Sequence, residues 1–93
     1  MRLSQPEREL IRQSVSRIDP DAEIRLFGSR LKDSAKGGDI DLLCISRRID
    51  RHARRRLTRE ISDRLGGQRI DLIVADDAEA PFPKLILPDS VAI

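Results

Sequence analysis

The chain has no tryptophan, no tyrosine, one cysteine and two phenylalanines in 93 residues. So few rings leave no platform on which bases could stack, which argues against single-strand nucleic-acid binding by that route. They also leave the core to Leu, Ile, Val and Ala. A single cysteine, Cys44, excludes an internal disulfide. No signal-like apolar stretch follows Arg2, so a cytoplasmic location is expected. No apolar run approaches the ~20 residues of a membrane span, and no membrane partner is expected. The one histidine, His52, lies among arginines with no cysteine or acid at zinc-ligand spacing, and it reads as a surface residue.

A length of 93 residues suffices for one domain, taken as 1–93. A domain of this size buries only about 60–65% of the surface its unfolded chain exposes, so a homo- or hetero-oligomeric partner would help it. The net charge is only +2, but it is unevenly spread. Residues 1–46 are balanced. Residues 47–69 carry nine arginines against three acids, and residues 70–93 one lysine against five acids. One basic and one acidic surface are implied.

Ser4-Gln5-Pro6-Glu7 fits a capping box with proline in the first turn. Leu10, Ile11, Val15 and Ile18 follow at helical spacing, so a helix is predicted over 4–18. Asp19-Pro20-Asp21 is a stop. A short strand is predicted over 23–27, ended by Gly28-Ser29, and a second over 39–45. Asp50 caps a helix running to Leu65, with Ala53, Leu57, Ile61 and Leu65 as its apolar stripe and Gly66-Gly67 as its end. A third strand is predicted over 69–75. Residues 76–84, acidic and proline-containing, read as a loop. Leu85-Ile86-Leu87 and Val91-Ala92-Ile93 are short apolar pieces. Helix, strand, strand, helix, strand makes an α+β (mixed α/β) domain: a mixed sheet flanked by helices.

The chemistry lies in Leu26-Phe27-Gly28-Ser29, then Asp39-Ile40-Asp41-Leu42, then Arg69-Ile70-Asp71-Leu72. Strand side chains alternate, so Asp39 and Asp41 share a face, roughly 7 Å apart. That face turns apolar at Leu43 and Ile45, and Asp71 is likewise followed by Ile73. A merely solvated face would stay polar along its length. Carboxylates beside a core are costly unless something cationic binds them. Hard oxygen ligands suit magnesium, which is usually held by one or two carboxylates plus substrate phosphates. Two ions could be bridged, one escorting a triphosphate and the other activating an attacking hydroxyl with the help of Asp71. Gly28 would let backbone approach the phosphates, and Ser29 and backbone N–H groups would hold their oxygens. Arg30 is a further phosphate candidate, with Lys32 and Lys36 weaker ones.

These residues resemble the nucleotidyltransferases of the DNA polymerase β superfamily: an apolar strand, Gly-Ser, a gap, Asp-apolar-Asp, and a third acid on a later strand. The wider runs LFGSR…GGDIDLL and RIDLIVAD resemble the minimal nucleotidyltransferases of bacteria and archaea, over about residues 5–77. The loop departs from the family's pattern, with Leu31, Lys32 and Asp33 where relatives often carry a small residue, a basic one and glycine. The resemblance implies a nucleotidyltransferase fold and magnesium-dependent transfer of AMP from ATP. It implies metal binding and catalysis by Asp39, Asp41 and Asp71, and triphosphate binding by Gly28, Ser29 and Arg30. It also implies a partner: a nearby-encoded HEPN-domain ribonuclease toxin, modified on a tyrosine, with this chain as antitoxin. The alternatives are a non-catalytic antitoxin that covers its partner, and transfer to a small molecule.

Three readings stay open for Arg47, Arg48, Arg51, Arg54, Arg55, Arg56 and Arg59: a solvated helix face, docking to an acidic partner, or nucleic-acid contact. Cys44 shares a strand face with Ile40 and Leu42 and reads as a buried structural thiol.

Overall fold

The computed structural model describes residues 3–28 and 39–93. Its first helix, α1 (Gln5–Ser16), begins where the capping box puts it. The Glu7 N–H donates to Ser4 Oγ at 3.2 Å, and the Ser4 N–H donates to Glu7 Oε1 at 2.9 Å. Strand β1 is Glu23–Phe27 and β2 is Ile40–Ile45. Helix α2 (Arg51–Arg64) is capped by Asp50, whose carboxylate accepts from the Ala53 N–H at 2.8 Å. It ends at Gly66 and Gly67, with φ of +75° and +87°, values that favour glycine. Strand β3 is Ile70–Ala75.

Residues 76–84, expected to be loop throughout, run into a short helix, α3 (Pro81–Ile86). Pro81 and Pro83 do not prevent it, because the first-turn N–H groups of a helix have no intrahelical acceptor to lose. A 3-10 turn, Leu87–Asp89, leads to β4 (Val91–Ala92). Phe82, Leu85 and Val91 are the exposed large apolar side chains among the described residues.

The sheet order is β3-β2-β1-β4. β1 is antiparallel to both β2 and β4, and β3 is parallel to β2, so the sheet is mixed as expected. Parallel neighbours need a crossover, and α2 supplies it. The first and last bonds of this pairing lie just outside the strands: Ile40 N–H donates to Arg69 O at 3.0 Å, and Ser46 N–H to Ala75 O at 2.8 Å.

Alternation decides what each face does. Ile24, Leu26, Ile40, Leu42, Cys44 and Leu72 point to one face and pack with Ile11 and Val15 of α1 and Ala53, Leu57 and Ile61 of α2. Each Leu or Ile buried this fully stabilises the fold by roughly 1.5–3 kcal/mol. Cys44 belongs to this core. Burial, with the nearby Asp19 charge, pushes its thiol up to about 12, so it stays protonated and inert. His52 is exposed, as the sequence implied.

Asp19 ties the α1–β1 turn to the end of β2. It is 5% exposed, accepts from the Ser46 hydroxyl at 2.6 Å and from the Asp21 N–H at 2.9 Å, and lies 3.9 Å from the Arg48 guanidinium. The Ser46 hydrogen bond, aided by Asp21 and Arg48 and opposed by burial, holds its carboxyl below the ordinary 3.8. A depressed folded-state value means that the unfolded chain binds the proton more readily. The stabilisation is therefore complete above about pH 4 and is lost as the pH falls through the folded-state value. Asp19→Ala should flatten the acid limb of a plot of stability against pH, measured by urea unfolding, and should lower stability at pH 7.

Candidate active site

The register of the sheet brings the sequence's acids together. Asp41 of β2 lies beside Asp71 of β3 and, on its other side, beside Phe27, the last residue of β1. Both carboxylates leave the sheet on the face away from α1 and α2, because Ile40, Leu42 and Leu72 occupy the helix-covered face. Asp39 precedes β2 and is exposed, Asp71 is exposed, and Asp41 is half-buried.

Gly28 closes the site on the β1 side. Its φ is +79°, and a Cβ built there would fall onto Asp41 Oδ2, 3.1 Å from its Cγ. Two constraints thus require glycine here: the left-handed backbone and the close approach to Asp41. Ser29 and Arg30, and also Lys32 and Lys36, lie outside the described residues.

The electrostatics of Asp41 run opposite to those of Asp19. Desolvation by burial, then the charges of Asp71 and Asp39, raise its carboxyl above the ordinary 3.8. Ionising Asp41 is a cost that the fold carries, since neighbouring like charges and a low-dielectric surround both disfavour the anion. Among the described residues, no group of three histidine, cysteine or acidic side chains converges tightly enough to enclose a metal ion. Two in-register carboxylates with a third two residues upstream are nonetheless a hard-oxygen donor set, open on one side to phosphate and water oxygens, and that suits magnesium.

A cleft of about 590 Å³ runs from Asp39 and Asp71 past Arg69 to Arg54, Arg55 and Arg59 of α2. The sequence reading found these arginines but did not join them to the acids. The available signal was their spacing: 54, 58 and 62 run beside the apolar stripe of 53, 57 and 61, and 55 and 59 share the helix side turned away from it.

A nucleotidyltransferase-domain profile matches residues 8–91. The chain belongs to this family. As a nucleotidyltransferase domain it is a transferase, and its small α+β fold with a mixed sheet agrees with that membership. A comparison with curated proteins finds no match. None of the domain's described helices is long and apolar enough to cross a membrane.

Two outcomes follow from this geometry. Gly28→Ala should lower stability by more than about 1 kcal/mol in urea unfolding, since it combines an unfavourable φ with a clash at Asp41. Asp41→Asn should raise the thermal midpoint of the metal-free protein, because it removes a partly desolvated, repelled charge. Magnesium about 100-fold above its dissociation constant should add about 2.7 kcal/mol to the wild type and much less to the variant.

Proposed function

We propose that this nucleotidyltransferase domain moves AMP from ATP, with magnesium, to a hydroxyl of a partner protein. The acceptor in this reading is a tyrosine of an HEPN-domain ribonuclease toxin, which the chain silences as its antitoxin. The observation that carries the nucleotide chemistry is the in-register pair Asp41 and Asp71 with Gly28 pressed against Asp41.

The residues divide the work by position. Asp39 and Asp41 would hold magnesium, which when bound supplies positive charge to the triphosphate and acidity to the acceptor hydroxyl. Gly28, lacking a side chain, lets the Asp41 carboxylate sit against the end of β1, where backbone, Ser29 and Arg30 would cradle phosphate. Asp71 lies on the opposite side of Asp41 from Gly28, so it faces the acceptor and takes part in removing its proton. The acceptor oxygen forms a bond to the α-phosphorus, the bond from that phosphorus to the bridging oxygen breaks, and pyrophosphate leaves with the electron pair. The acceptor's proton passes to Asp71 and then to solvent.

The test mixes the protein, its partner, magnesium and ATP labelled at the α-phosphate. Label should appear on the partner and be lost on mutation of its acceptor tyrosine to phenylalanine. Asp71→Asn should slow transfer by about 10²–10⁴-fold, the usual worth of a positioned base. A double variant Asp39→Asn, Asp41→Asn that neutralises the toxin as strongly as wild type would overturn the catalytic reading in favour of simple covering.

A further inference from the structure

The cleft beside the acids contains more positive charge than the fold uses. Arg17, Arg25 and Arg48 each meet a carboxylate, at 3.5, 3.4 and 3.9 Å from Glu60, Glu23 and Asp19. Arg54, Arg55, Arg59 and Arg69 form no ion pair among the described residues, although all four line one cleft with Asp39 and Asp71. Arg55, Arg59 and Arg69 are exposed, so the core does not depend on them.

We propose that this cleft docks the polypeptide that carries the acceptor hydroxyl, and that it selects a segment with acidic residues near that hydroxyl. This rests on the reading of Asp71 as the acceptor-side carboxylate. The topology supports the placement. Gly28, at the end of β1, flanks Asp41 on one side, and Asp71 of β3 flanks it on the other. The described lining of the arginine cleft includes Asp71 and Asp39 but neither Gly28 nor Asp41.

Two features favour polypeptide over nucleic acid. The cleft is of mixed sign, with Asp63 among the arginines and Asp39 and Asp71 at its end. A phosphate backbone carries charge at every step and would meet all three acids, whereas a peptide can place carboxylates opposite Arg54, Arg55, Arg59 and Arg69 and a neutral hydroxyl opposite Asp71. Second, β3 is an edge strand, so among the described residues its outer N–H and C=O groups are unclaimed by any neighbouring strand. An extended segment can use such an edge, as strand addition commonly does.

Binding is tested apart from catalysis, with neither nucleotide nor metal present. The probe is a short fluorescein-labelled peptide of one tyrosine flanked by glutamates, compared with a glutamine-flanked peptide and with single-stranded RNA of the same net charge. Fluorescence anisotropy at physiological salt should show binding of the glutamate peptide, at least about tenfold weaker binding of the glutamine peptide and of RNA, and a similar loss in Arg55→Glu, Arg59→Glu. The control pair Arg12→Glu, Arg47→Glu carries the same change in net charge away from the cleft and should bind like wild type. Equal losses in both pairs would reduce the effect to overall charge and overturn the proposal. RNA binding as tight as the glutamate peptide, lost in the cleft pair, would assign the surface to nucleic acid and overturn it as well. Unchanged thermal midpoints would establish that both pairs are folded. Failure of label transfer with intact peptide binding would count against the catalytic reading alone.

Discussion

Everything at the candidate site depends on the parallel register of β2 and β3. Ile40, Leu42 and Cys44 on one strand and Leu72 on the other are buried under α1 and α2. A strand has a period of two, so a slip by one residue would lift these side chains out of the core and send the aspartates into it. The apolar residues thereby hold Asp41 and Asp71 side by side on the opposite face. The same register makes the pair electrostatically costly: burial and the charges of Asp71 and Asp39 raise the Asp41 carboxyl. The core outweighs this repulsion, and the site stays poised for positive charge.

The sheet also separates two surroundings of Asp41. On the β1 side, Gly28 brings backbone against the carboxylate. On the β3 side, Asp71 and the arginines of α2 line one cleft. Helix α2 serves both core and cleft, because its 3.6-residue period puts Ala53, Leu57 and Ile61 on one stripe and Arg55 and Arg59 on the side turned away from it. As the crossover between β2 and β3, it lies over these strands on the helix-covered face, and its arginines line one cleft with Asp39 and Asp71.

Much of this was legible in the sequence because local rules sufficed. Ser4 and Glu7 announced a helix start, Asp50 and Gly66-Gly67 bracketed α2, and alternation around Asp41 and Asp71 fixed which side chains share a face. The failures have physical causes. Pro81 and Pro83 argued for loop, yet prolines in a first turn lose nothing, and α3 forms around them. Asp39 and Arg69, expected inside strands, fall just before them, although the Arg69 carbonyl still accepts from Ile40. The short β4 was unreadable because two residues show no period, and only its pairing with Arg25 and Leu26 defines it. The union of the arginines with the acids was hidden for another reason. Spacing along α2 shows that Arg55 and Arg59 share a flank, but which strand that flank faces follows only from the sheet order.

That union bears on selectivity. Attraction alone discriminates poorly, because any anion approaches a basic surface. Here the guanidiniums of Arg54, Arg55, Arg59 and Arg69 stand in one cleft with the carboxylates of Asp39, Asp63 and Asp71. A negative group on the incoming molecule is favoured beside the first set and opposed beside the second. As the proposed acceptor site, the cleft would read where charge lies along its partner as well as how much there is. A uniformly charged polymer satisfies one end only by violating the other, while an acidic segment with an uncharged hydroxyl at the right place satisfies both. Specificity in that proposal would arise as much from the repulsive aspartates as from the attractive arginines. In the proposed function, the carboxylates that would serve phosphoryl chemistry would also exclude wrong acceptors.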